Sequence, residues 1–183
     1  KVRAITVTSI AFVFGLGIAA VLSLFVGANF SQAAITAGIY AGIASGIAIS
    51  CLYAALALGP ISIVSPLTAV LSALIPVIYD LATGAELGPF ALIAIVLVLV
   101  AVVLVAFVPG QDFRLPSLRA VLYSVGAGVG FAGIFVFLDQ APSDSGLATL
   151  IVMRIVGIVL MFAGLTFAFF RYRPKQFLET AVF

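Results

Sequence analysis

The stretch AAITAGIYAGIASGIAISCLYAALAL, from Ala33 to Leu58, contains no Asp, Glu, Lys or Arg. After Gly59-Pro60 it is followed by ISIVSPLTAVLSALIPVIYDL, from Ile61 to Leu81, whose one charge, Asp80, stands near its end. A bilayer core about 30 Å thick needs about 20 predominantly apolar residues to be crossed by a helix, and each stretch meets that length. Apolar residues run continuously here instead of alternating every second position. Lipid also requires every backbone polar group to be satisfied within the spanning segment, so helices are predicted and not barrel strands.

Working outward from this pair, the chain divides into six stretches of similar size: Ala4 to Val26, Ala33 to Leu58, Ile61 to Leu81, Gly88 to Val108, Leu118 to Leu138 and Gly146 to Phe170. Turn chemistry separates them, at Gly27-Ala28-Asn29, Gly59-Pro60, Thr83-Gly84, Pro109-Gly110 and Pro142-Ser143-Asp144. The expected fold is all-α, a polytopic bundle with six membrane-spanning helices. Composition agrees, since 65% of residues are hydrophobic, 8% are charged and the mean hydropathy is +1.42, against about 25% charged in soluble domains. The chain opens on Lys1 with no signal-peptide pattern, which reads as a start within a longer protein.

Charge is distributed unevenly. With six crossings, Lys1, Arg3, Arg114, Arg119, Arg171, Arg173 and Lys175 fall on one side, while Asp80, Glu86, Asp139 and Asp144 mark the other. The positive-inside rule makes the basic side cytoplasmic. A net charge of +2 without a basic run gives no reason to expect nucleic acid.

Small residues recur at every fourth position in three stretches. They are Ala34, Gly38, Gly42, Gly46, Ser50 and Ala54 in the second, Ala11, Gly15, Ala19, Ser23 and Gly27 in the first, and Ala120, Ser124, Gly128 and Ala132 in the fifth. Between lipid-embedded helices there is no hydrophobic drive to associate, so close backbone approach supplies the dispersion contacts. These three helices are expected inside the bundle, with Gly38, Gly42, Gly46 and Gly128 as packing positions. The fourth stretch, aliphatic throughout, is expected at the lipid boundary.

Candidate functional residues are few. The third stretch carries Ser62, Ser65, Pro66, Thr68, Ser72 and Pro76. Pro66 is expected in the first helical turn, where proline is tolerated, whereas Pro76 lies deep and should bend the helix and free a carbonyl. Broken helices with accessible backbone are a common way to build a transport site at mid-membrane. Arg154 lies within the sixth stretch. A central arginine costs on the order of 3 kcal/mol by insertion scales and tends to face a cavity or an ion-pair partner. Asp139, Asp144 and Asp80 are the candidate partners, with snorkelling to the interface as the alternative. Arg154 is expected to face the second, third or fifth helix, and Tyr53, beside the Gly59-Pro60 turn, completes a substrate-pathway set with Pro76, Ser65 and Ser72.

Catalytic chemistry is poorly supplied. The chain has no His, and Ser45 within Gly42-Ile43-Ala44-Ser45-Gly46 has no accompanying base, so no enzyme is expected. Cys51 is single and lies in an apolar run, as a small buried hydrophobe would. No metal and no cofactor is expected. The partners expected are the lipid bilayer and a small-molecule substrate, with a homodimer as a further option.

LYAALALGP from Leu52 to Pro60, SIVSPLTAVLSALIPV from Ser62 to Val77 and TGAELG from Thr83 to Gly88 follow one another in a distinctive succession. In this the chain resembles the EamA-type domain of the drug/metabolite transporter superfamily. The resemblance departs at Gly84-Ala85-Glu86-Leu87 and at Ala54, where relatives often carry a basic residue. It implies two five-helix repeats of opposite orientation: residues 1–110 would be the first repeat lacking its first helix, and residues 111–183 the start of the second, with Met153-Arg154 matching Val2-Arg3. It further implies a multi-pass inner-membrane transporter working by alternating access around a cavity lined by the second, third, fifth and sixth helices. The family's usual orientation would place the start of the first stretch outside, opposite to the charge asymmetry. A non-transporting membrane subunit or scaffold is the competing reading, and no filter-like loop suggests a channel.

Overall fold

The computed structural model describes residues 4–86, 88–106 and 116–171. Six α-helices make up these residues: α1 Ala4–Val26, α2 Gln32–Leu58, α3 Ile61–Ala82, α4 Pro89–Ala106, α5 Leu118–Asp139 and α6 Ala148–Arg171, with a short 3-10 turn at Ser143–Ser145. Three of them, α2, α3 and α5, are long and apolar enough to cross a membrane. Ile10–Val26, Pro89–Val102 and Ala148–Gly164 are shorter apolar segments among the described residues. The protein is therefore helical and membrane-embedded in character. Val108, the Pro109-Gly110 turn, Leu87 and the basic residues Lys1, Arg3, Arg114, Arg173 and Lys175 lie outside the described residues.

Local chemistry sets the helix ends. Ser31 and Ser117 stand just before α2 and α5, and their hydroxyls accept from the backbone N–H of Ala34 and Ala120, each at 3.2 Å. At the end of α3, Gly84 takes φ +96°. Ala85 N–H then donates to Asp80 O at 2.9 Å and Gly84 N–H to Leu81 O at 3.2 Å, the paired bonds of a Schellman cap. The sixth helix begins at Ala148, two residues later than expected, because Gly146 adopts φ +55° and its segment bridges to Ala28. Pro66 is the sixth residue of α3, not part of its first turn, and the helix continues through both Pro66 and Pro76.

Two compact units partition the chain, one comprising Lys1–Gly46 with Phe137–Phe183 and the other Ile47–Val136. In the first, α6 runs antiparallel to α1 and parallel to the start of α2. Phe12 lies against Gly157 and Gly15 against Arg154, while Gly38 lies against Val152 and Gly42 against Val156. At one end, Leu147 N–H donates to Gly27 O at 3.1 Å and Asn29 N–H to Ser145 O at 3.1 Å, so the α1–α2 and α5–α6 loops are clasped backbone to backbone.

In the second unit α2 and α5 are antiparallel, with Gly130 against Ala48 and Gly126 against Cys51. Gly128 of α5 meets α3 closely, and a Cβ built there would fall 2.5 Å from Leu71 Cβ. Thr68 Oγ1 donates to Ser124 O at 3.3 Å across the same α3–α5 contact, and Ser124 Oγ donates to Ala120 O at 2.8 Å.

Small residues predominate in the interior, and most of the large apolar ones are exposed. Ala34, Ala41, Ala48 and Ala55, seven apart on α2, are all 0% exposed, whereas Phe25 and Phe90 are 82% and 84% exposed. The four-residue stripe is buried at Ala34, Gly38 and Gly42 and then departs from the buried line, which keeps this seven-residue spacing. Steps of four residues drift about 40° around a helix of 3.6 residues per turn. By Ser50 the stripe has turned outward, and that residue is exposed. On α1 the expectation of an interior helix fails: among its described side chains only Phe12 and Ala19 are buried, because its small residues serve one neighbour, α6. The aliphatic side chains of α4 are largely exposed, as expected of a helix at the lipid boundary.

Candidate functional site

Arg154 is the seventh residue of α6, and its guanidinium lies against α1. Its Cζ is 5.4 Å from the centroid of the Phe12 ring, in cation–π contact. A Cβ built on Gly15 would fall 3.3 Å from Cζ and 3.4 Å from Nε, so the glycine leaves the space in which the group sits. The expectation that Arg154 faces the second, third or fifth helix is thus corrected. Thr149, Val152, Met153 and Val156 form the side of α6 that meets α2, and Arg154 lies round the helix from them, towards α1.

Depth follows from register. Gly15 is midway along α1, eleven residues from either end of Ala4–Val26, or about 16 Å at 1.5 Å per residue. Snorkelling towards the nearer end of α6 would carry the guanidinium towards Ala19 and Ser23. It lies instead beside Gly15 and Phe12.

Compensation for the charge is incomplete. Nε is buried and has no hydrogen-bond partner, and among the described residues no carboxylate forms an ion pair with the group. Asp144 accepts from Asn29 Nδ2 at 3.1 Å in the loop clasp. That clasp is separated from Gly15 by the second half of α1, about 18 Å, further than the side chain spans. A cation–π contact supplies about 0.5 to 2 kcal/mol, less than the on-the-order-of 3 kcal/mol that a central arginine costs.

Tyr53, Ser65, Ser72 and Pro76 all belong to the other unit. Ser65 is exposed beside Pro66 and Ala69, along an apolar groove bordered by Val98, Ala101 and Val102 of α4. Ser72 Oγ donates to Ala69 O at 2.9 Å, a bond within its own helix that lets a hydroxyl sit in lipid without a ligand. Pro76 is half-buried and Tyr53 exposed. Gly38, Gly42, Gly46 and Gly128 stand at helix contacts, against Val152, Val156, Leu160 and Leu71 respectively.

Sequence reasoning missed Phe12 as the ring beneath the guanidinium. Nothing in the local sequence sets Phe12 apart from Phe14 or Phe25, since only the α1–α6 register selects it. Among the described residues no group of three or more His, Cys, Asp or Glu could hold a metal ion. Comparison with protein-family models, with curated proteins and with solved structures finds no match.

Proposed function

We propose that the chain is part of a multi-pass inner-membrane secondary transporter that moves a small metabolite by alternating access, of the EamA type that its second to fourth helices resemble. All six helices cross the bilayer in this reading. One observation carries it: an arginine held at the mid-depth of a helix pair with its Nε unsatisfied and no carboxylate beside it. A protein that only had to be stable in lipid would gain by replacing such a residue with leucine.

Uptake into proteoliposomes containing the purified full chain, measured across a panel of labelled metabolites, tests the proposal. Saturable flux for at least one compound is expected. Absence of flux for every compound, together with tight binding to a second membrane protein, would identify a scaffold instead.

A further inference from the structure

We propose that Arg154, Phe12 and Gly15 form a binding site for an anionic oxygen group, a carboxylate or phosphate, carried by the transported solute. The proposal rests on the transport reading and narrows its substrate class. An arginine cannot neutralise itself by losing its proton, so its charge must be met where it lies. The chain meets it only in part. The guanidinium lies over the Phe12 ring, 5.4 Å from its centroid, and Nε is a buried donor without an acceptor among the described residues. A planar guanidinium recognises carboxylate and phosphate through paired charge-assisted hydrogen bonds. Gly15 keeps α1 clear of the same group.

Depth indicates the source of the anion. Lipid phosphates lie in the interfacial regions, whereas the hydrocarbon core is about 30 Å thick and the guanidinium stands level with the middle of α1. A solute that enters the protein can deliver an acid group there, and a headgroup can do so only by leaving its interface.

The test uses the full chain in nanodiscs of phosphatidylcholine alone, with thermal unfolding followed against inorganic phosphate, succinate and an uncharged sugar. Phosphate or succinate is expected to raise the midpoint in a saturable way that the sugar does not reproduce. Arg154→Leu is expected to weaken that binding by about tenfold or more, with Arg154→Lys intermediate. Gly15→Ala is the second variant. Alanine favours a helix over glycine, so the ligand-free midpoint should hold or rise, while the added carbon displaces the guanidinium and weakens anion binding; a purely structural arginine would show no such split. Equal responses of wild type and Arg154→Leu to the anions would overturn the site. Stabilisation that needs phosphatidylglycerol in the disc would overturn the assignment to a solute. Transport of an uncharged compound, undiminished in Arg154→Leu, would overturn the anion site while leaving the transporter standing.

Discussion

Gly42 of α2 and Val156 of α6 meet so closely that a Cβ on the glycine would fall 2.6 Å from the valine Cβ and 3.0 Å from the carbonyl oxygen of Met153. The second of these neighbours is helix backbone and cannot rotate away. Gly42→Leu is therefore expected to lower the unfolding midpoint in detergent by several degrees or to block assembly, as overpacking typically costs about 1–3 kcal/mol or more. Ala94→Leu, on the exposed side of α4, should leave the midpoint within about a degree. Equal midpoints for the two variants would remove α2–α6 as a stabilising contact.

The loop clasp gives a second expectation. Gly146 has φ +55°, and its position abuts the carbonyl of Gly27. Gly146→Ala meets both strain and crowding, for an expected cost on the order of 1–3 kcal/mol. Asn29→Ala removes only the exposed side-chain bond to Asp144, worth about 1 kcal/mol or less. Hydrogen exchange at Leu147 and Asn29 should accelerate strongly in the first variant and little in the second.

Pro76 lies inside a helix that continues past it, and having no N–H it leaves the carbonyl of Ser72 without its usual donor. Pro76→Ala should raise the unfolding midpoint, since proline costs about 3 kcal/mol in a helix interior relative to alanine. Flux in proteoliposomes should fall at matched expression, because the proposed transport cycle uses the flexibility or the free carbonyl of α3. Undiminished flux would reduce Pro76 to a packing feature.

For Arg154→Leu, insertion into the membrane should survive and transport should be lost, since leucine suits lipid better than arginine does. Arg154→Lys should also be impaired, because a point charge does not reproduce the planar fork. Phe12→Leu should have an intermediate effect on flux, as it removes the aromatic face but keeps the apolar volume. If the Leu variant transports at wild-type rate, Arg154 has no part in the pathway.

Helix placement was largely legible because it depends on local quantities: the length of apolar runs and the glycine, proline and serine at their ends. Gln32, Ala82 and Asp139 extend their helices by only one residue beyond the sequence expectation. The displaced start of α6 was not legible, since it depends on a bridge between Gly146 and Ala28, far apart in sequence. Arg154 could be recognised as costly from its neighbours alone. Its orientation towards Phe12 and Gly15 could not, because α2 and α1 both offer α6 a small-residue stripe and sequence does not say which of them receives the charge. The four-residue stripes had a related weakness: they identify a surface near one point on a helix and rotate away from it over several turns.

The alanine line at Ala34, Ala41, Ala48 and Ala55 inverts the usual mutational logic of a protein core. In a water-soluble domain the damaging changes are truncations, because large interior side chains leave voids when cut back. Along this line there is almost no side chain left to truncate. Tolerance should run the other way: exchanges of one aliphatic residue for another on the outer faces of α1 and α4 should be nearly silent, while additions of one or two carbons along the buried line should be the dominant route to loss of the fold. A saturation library would then sort by side-chain volume at these four positions and by polarity on the lipid-facing ones.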